Sequence, residues 1–156
     1  MTADRLIGIA GAGSIGCFVG GMLAAGGRQV ALLARPRVIA EIESNGLRLT
    51  SFEGLDRRIA ADQLTLSENP SIFSEAGVVL VTVKIADTAA IAGVIGKFAP
   101  HDAVIVSLQN GVQCRRAARA IAGADRAGRH GAVQRDLGGA GPVSPLHLGR
   151  HRDRSG

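Results

Sequence analysis

Short apolar runs alternate with stretches of helical periodicity along the first 112 residues of the chain. Four apolar runs predict buried strands, at residues 5–10, 29–34, 78–83 and 103–108. Apolar side chains at helical spacing predict helices at residues 15–25, 38–44 and 89–98. Buried strands that alternate with helices are typical of a parallel sheet covered on both faces. The pattern therefore predicts an α/β fold with a doubly wound parallel sheet.

The segment between the second and third apolar runs has a weaker pattern. Pro36 is expected to break the chain after the second strand. Residues 47–66 predict two short, half-exposed strands around the turn Glu53-Gly54. Aromatic residues make up only 3% of the chain, so we expect an aliphatic core.

A glycine-rich turn comes after the first predicted strand and opens the first predicted helix. It reads G-x-G-x-x-G and consists of Gly11, Ala12, Gly13, Ser14, Ile15 and Gly16. Between a strand and a helix, the first glycine allows a tight turn, the second lets the backbone approach a pyrophosphate, and the third lets the helix pack on the strand. The motif therefore predicts a Rossmann-type dinucleotide-binding domain. The alternative is a glycine-rich turn that binds no ligand.

The end of the second predicted strand indicates which dinucleotide is bound. Domains that bind NAD usually carry an acid there, whereas this chain reads Ala34-Arg35-Pro36-Arg37 at that point, and the next acid along the chain is Glu41. An arginine can donate two hydrogen bonds to a 2′-phosphate, so Arg35 predicts NADP(H) as the cofactor. Arg37 either shares this role or begins the next helix, and the alternative for both is a solvated surface arginine.

Two further polar residues lie at the ends of predicted strands. Lys84 ends the run VLVTVK, and Asn110 comes after IVSLQ. Ligands of open α/β sheets bind beyond the carboxyl ends of the strands, so both side chains are candidates for contact with cofactor or substrate. A surface lysine at a strand end is the alternative for Lys84.

The regular pattern stops after Val112. Residues 113–156 hold nine arginines, no lysine and three acids, a net charge of +6, whereas residues 1–112 carry −1. We therefore divide the chain into a dinucleotide-binding domain at residues 1–112 and an Arg/Gly-rich tail at residues 113–156, which we expect to be disordered because it has few large apolar side chains. Binding of the tail to nucleic acid is the alternative, but the tail lacks interleaved aromatic residues.

The two cysteines, Cys17 and Cys114, have no metal-ligand or disulfide spacing, which favours a reduced, cytoplasmic setting and no metal site. Residues 6–27 carry no charged side chain, but they contain eight glycines and divide into a strand, a turn and a helix. We therefore expect no membrane span there.

Five segments in this order and spacing resemble ketopantoate reductase (2-dehydropantoate 2-reductase): GAGSIG, LLARPR, NGLRL, VTVK and SLQNGV. The resemblance covers residues 5–112 and implies reduction of 2-dehydropantoate to pantoate with NADPH, in the biosynthesis of pantothenate and coenzyme A. It also implies that residues 11–16 bind the pyrophosphate, Arg35 the 2′-phosphate, and that Lys84 lies near the nicotinamide ribose. Asn110 is implied to contact the cofactor and the substrate.

The resemblance also implies that the chain lacks part of the family's catalytic machinery. Members of the family are about twice as long, and a second, helical domain supplies a catalytic lysine that donates a proton to the carbonyl oxygen. The only lysines here are Lys84 and Lys97, both in the first domain, so we name no catalytic residue and expect a catalytically incomplete fragment. Two alternatives stay open, namely another NADP-dependent reductase with a different substrate and a non-catalytic NADP(H)-binding module that acts through a partner.

The tail does not resemble the family's sequence on the carboxyl side of QNGV. With suitable codons, residues 113–118 and 130–137 shifted by one base read as segments similar to the family's own. We therefore expect residues 113–156 to be an out-of-frame translation.

Overall fold

The structure, a computed structural model, describes residues 4–109. Within this range there are seven strands, β1 (Leu6–Ala10), β2 (Val30–Leu33), β3 (Leu47–Thr50), β4 (Asp56–Ile59), β5 (Thr65–Ser67), β6 (Ala76–Val81) and β7 (Val104–Ser107). The three α-helices are α1 (Ser14–Ala25), α2 (Pro36–Asn45) and α3 (Thr88–Phe98). Three short 3-10 turns lie at Ala61–Gln63, Pro70–Phe73 and Ile85–Asp87.

Five strands form one parallel sheet in the order β5-β2-β1-β6-β7. The chain runs outward from β1 to β2 and β5, returns to the other side of β1 with β6, and continues outward to β7. The strand order therefore reverses between β1 and β6, which is the switch point where ligands of doubly wound sheets bind. This topology confirms the predicted Rossmann-type α/β fold.

The sheet has a separate apolar core on each face. Neighbouring residues of β1 point to opposite faces, so Ile9 belongs to the core beneath α1 and α2, and Ala10 to the core beneath α3. Ile91 and Ile95 of α3 complete the second core. Both faces of the sheet are thus covered, which explains why β1, β2 and β6 are apolar along their whole length.

Residues 47–66 differ from the prediction in one respect. β3 and β4 form the expected antiparallel hairpin, but Thr65–Ser67 leaves it and joins the edge of the parallel sheet beside β2. The hairpin packs on α1, where a Cβ on Gly21 would come within 3.0 Å of side-chain atoms of Leu47 and Leu49. A three-residue strand is too short to show a period of two, so the pattern could not separate β5 from the hairpin.

Two other expectations need correction. Pro36 does not only end the segment before it; it begins α2 as the first helical residue, where a missing N–H costs nothing. The core is aliphatic except for Phe73, which is fully buried. Its ring occupies the space beside Gly8 of β1, where a Cβ would lie 2.7 Å from the ring.

Several predictions fall on residues outside the described range. Asn110 and the tail at residues 113–156, with its expected disorder, lie beyond residue 109. Over the described range, no helix has the length and apolar character needed to cross a membrane.

Candidate functional site

A cleft of about 540 Å³ opens at the carboxyl ends of the parallel strands. Its walls come from the segments directly after β1, β2, β5 and β6, represented by Gly11, Ala34, Glu68 and Thr82. The cleft therefore lies across the switch point of the sheet, where the helices on either side diverge and leave room for a ligand.

The three glycines of the turn after β1 have different surroundings. Gly11 has a φ of +115°, and a Cβ there would meet Val83 at 2.7 Å. A Cβ on Gly16 would overlap the carbonyl oxygen of Gly11, so this glycine lets α1 approach the turn. Apart from Gly13 itself and its two chain neighbours, a Cβ on Gly13 would meet no atom of the described residues within 4 Å, although Gly13 lines the cleft. Gly11 and Gly16 are thus required by the protein itself, whereas the space beside Gly13 is open to a ligand.

The first turn of α1 adds backbone donors to this wall. Gly13 is the N-cap residue, no side chain among residues 4–109 caps the helix, and no acid lies in its first turn. Ser14 and Ile15 are exposed and Gly16 is buried. The first N–H groups of a helix have no acceptor within the helix, and the helix dipole adds positive potential there, so this wall suits an anionic group.

Thr82 fastens the glycine turn to β6, a role that the sequence pattern did not reveal. Its backbone N–H donates to the Ala10 carbonyl at 3.0 Å. Its hydroxyl oxygen lies 2.7 Å from the carbonyl oxygen of Gly11 and 3.2 Å from that of Ala10. The threonine in VTVK, directly after a buried strand, was the available signal, but it carries no charge and did not stand out.

Cys17 supports the same turn from the side of the core. It is 2% exposed, and its sulfur lies 3.4 Å from the carbonyl oxygen of Ala12. Burial, together with the charge of Glu41, raises the pKa of the Cys17 thiol to about 11. The thiol therefore stays protonated and can donate to Ala12, which makes it a structural group. Residues 4–109 hold no cluster of side chains that could bind a metal ion.

The structure separates the two arginines that come after β2. Arg35, the N-cap residue of α2, is exposed and lines the cleft, whereas Arg37 is exposed but is not part of the wall. Glu68 lies level with Ala34, because the Ala34 N–H donates to the Ser67 carbonyl at 2.9 Å and the two chains run parallel, and it lines the same cleft as Arg35. Glu68 was not among the predicted site residues, because the sequence pattern did not place β5 in the parallel sheet.

Lys84 lines the cleft on the other side of the glycine turn. It is exposed and lies just after β6, and Asp87 lies near it in the same wall. Because β2 and β6 flank β1, Arg35 and Lys84 stand on opposite sides of Gly13. Neighbouring strands are about 4.8 Å apart, so this row spans two strand spacings along the edge of the sheet. Along this edge an arginine, an open backbone turn and a lysine lie in that spatial order.

The chain is similar in sequence to known proteins. The family described as ketopantoate reductase PanE/ApbA matches residues 7–132, a match that runs past Val112. A 2-dehydropantoate 2-reductase of Halobacterium salinarum is 33% identical over 105 residues, which cover 67% of this chain and 33% of that protein. The chain thus spans about a third of the length of this curated relative.

Solved structures give the same relationship. The crystal structure of a PanE/ApbA family ketopantoate reductase from Ralstonia eutropha JMP134 superposes with a TM-score of 0.68 at 34% identity, covering 83% of this chain and 39% of that one. A glycerol-3-phosphate dehydrogenase from Coxiella burnetii shares the fold alone. It has a TM-score of 0.60 and 17% identity over 76% of this chain and 37% of that one.

Proposed function

Because this chain belongs to the ketopantoate reductase family, we propose that its described part binds NADP(H) in the cleft and forms the cofactor-binding part of a 2-dehydropantoate reductase. One observation carries the proposal. The open space beside Gly13 lies between Arg35 on one side of the sheet's switch point and Lys84 on the other. This order of groups matches a molecule with a phosphate at one end, a pyrophosphate in the middle and a ribose at the other end.

The pyrophosphate fits at the glycine turn. Its oxygens need close contact with backbone N–H groups, and Gly13 provides it because no side chain stands in the way. Ser14, Ile15 and Gly16 contribute the first N–H groups of α1 rather than side-chain contacts. Thr82 keeps the turn at this position through its bonds to Ala10 and Gly11.

The adenosine end fits beside β2. The Arg35 guanidinium presents several N–H donors in one plane and can donate two hydrogen bonds to a 2′-phosphate. Arg37 lies outside this wall, so we assign the 2′-phosphate to Arg35 alone.

The nicotinamide end fits beside β6. Lys84 stands there with its ammonium group available to the ribose hydroxyls, as the family resemblance implies. When bound, NADPH supplies the hydride for reduction of a keto acid. We assign 2-dehydropantoate as that keto acid because the relative from Halobacterium salinarum bears the name of this activity, with Asn110 as a contact to cofactor and substrate.

The cofactor assignment is tested by calorimetric titration of the 156-residue chain with NADPH and with NADH. A charge-assisted bidentate contact contributes roughly 1.5–3 kcal/mol, so we expect NADPH to bind at least about tenfold more tightly. Arg35→Ala should remove most of this preference. Arg37→Ala is the matched control, because it removes the same charge two residues away, outside the cleft, and it should keep the preference.

Equal affinity of the unmutated chain for the two dinucleotides contradicts the assignment to NADP(H). Loss of the preference in Arg37→Ala but not in Arg35→Ala would move the 2′-phosphate away from the cleft wall that contains Arg35.

A further inference from the structure

One side chain connects three elements around the wall that carries Lys84. Gln109 lies just after β7, and its amide nitrogen donates to the Val83 carbonyl at 2.7 Å and lies 2.9 Å from the Thr88 hydroxyl oxygen. Val83 lies just after β6, and Thr88 is the first residue of α3. A single amide group thus joins the end of β7 to both ends of residues 83–88.

Residues 83–88 form the cleft wall opposite Arg35. They contain Lys84 and Asp87, which both line the cleft, and the Asp87 N–H donates to the Lys84 carbonyl at 3.0 Å. This internal bond closes a short 3-10 turn, but it does not attach the turn to the sheet. The Gln109 amide contacts the residues on either side of this turn, namely Val83 before it and Thr88 after it.

The bond to Val83 determines how Lys84 enters the cleft. The Val83 carbonyl belongs to the planar peptide group that also contains the Lys84 N–H, so a fixed carbonyl fixes the plane from which Lys84 starts. Within residues 4–109 Lys84 makes no ion pair that would hold its side chain. Its placement therefore depends on its backbone, which the bond from Gln109 to the Val83 carbonyl helps to fix.

We propose that Gln109 is a positioning residue for the nicotinamide half of the cofactor, because its amide fixes the backbone from which Lys84 reaches the cleft. The proposal rests on the proposed binding of NADP(H). Gln109 would thus act on the cofactor through Lys84, since it is partly buried and its amide contacts Val83 and Thr88 of the protein.

The test compares two ligands on the full 156-residue chain. NADPH reaches both sides of the glycine turn, whereas 2′,5′-ADP contains only the adenosine half and ends before Lys84. Gln109→Leu should weaken NADPH binding about tenfold, the effect of one net hydrogen bond, and should change 2′,5′-ADP binding less than about twofold. A general loss of structure would weaken both ligands together.

Three further variants complete the test. Thr88→Val removes the hydroxyl that the Gln109 amide contacts, so it should also weaken the binding of NADPH but not of 2′,5′-ADP. Thr88→Ser keeps the hydroxyl and should bind NADPH as the unmutated chain does. If Gln109→Leu does not fold, the Thr88 pair gives the same comparison. Gln63→Leu is the matched control, because it makes the same change in an exposed glutamine outside the cleft wall.

Equal weakening of both ligands in Gln109→Leu and Thr88→Val, or no weakening of either, overturns the positioning role. An unmutated chain that binds neither NADPH nor 2′,5′-ADP overturns the proposed function and this inference with it. Selective weakening of NADPH supports both.

Discussion

Replacement of Gly13 by alanine separates ligand binding from folding. Beyond residues 12–14, the added methyl group meets no atom of residues 4–109 within 4 Å, and Gly13 has φ −82° and ψ −168°, a conformation that alanine adopts without strain. We therefore expect Gly13→Ala to fold normally while its methyl group occupies the space proposed for a phosphate oxygen.

The two effects on folding nearly cancel. Alanine is a poorer N-cap residue than glycine, which costs about 0.5–1 kcal/mol. It also lowers the conformational entropy of the unfolded chain, which stabilises the protein by about 0.4–1 kcal/mol. The free energy of unfolding should thus change by less than about 1 kcal/mol. Loss of one hydrogen bond to a charged phosphate costs roughly 1.5–3 kcal/mol, so the Kd for NADPH should rise about tenfold to a hundredfold.

Two measurements test this prediction, namely urea denaturation for stability and calorimetric titration for NADPH affinity. The control is Gly93→Ala on α3, an exposed site where, apart from its chain neighbours and the backbone of its own helix, a Cβ also meets nothing within 4 Å in the described part of the chain. It should gain up to about 1 kcal/mol of stability from helix propensity and bind NADPH unchanged. If Gly13→Ala folds and binds NADPH within twofold of the unmutated chain, the pyrophosphate does not approach Gly13 and the reasoning is wrong.

Two further predictions concern Cys17 and Glu68. Folding raises the pKa of the Cys17 thiol from 9.0 to about 11, so the unfolded chain loses the thiol proton at a lower pH than the folded chain does. The protonated thiol therefore makes its full contribution to the free energy of unfolding below pH 9, and this contribution is lost as the pH rises to 11. Urea denaturation should show a fall of up to roughly 2–3 kcal/mol over this range, which Cys17→Ala should lack, and an equal slope in both proteins would contradict the account. Glu68→Gln removes a negative charge from the cleft that Arg35 also lines, so NADPH affinity at low ionic strength should rise roughly twofold to threefold, and the gain should vanish at high salt. A weaker affinity for NADPH in Glu68→Gln would show that Glu68 instead helps to hold the adenosine end.

Much of the fold can be predicted from the sequence, because the signals are local. Fully buried strands produce apolar runs, and Gly11, Gly13 and Gly16 form a recognisable motif within six consecutive residues. These signals predicted the four longest strands of the parallel sheet and all three helices, with bounds that differ by one or two residues.

The parts that the sequence did not predict depend on pairing at a distance. Nothing local distinguishes a strand that joins β2 from one that continues the hairpin, so Glu68 was not placed in the cleft that Arg35 lines. Thr82 and Gln109 act through hydrogen bonds to residues 71 and 26 positions away, respectively, and neither is charged. Their importance became visible only when the ends of β1, β6 and β7 were brought together.

We propose that NADP(H) lies across the switch point with its 2′-phosphate at Arg35 and its pyrophosphate at Gly13. A crystal structure of the chain grown with NADP⁺ tests it most directly. We expect the 2′-phosphate within hydrogen-bond distance of the Arg35 guanidinium, the pyrophosphate against the backbone of Gly13, and the nicotinamide ribose on the Lys84 side. A dinucleotide bound with the nicotinamide beside Arg35, or bound outside the cleft, would contradict the account.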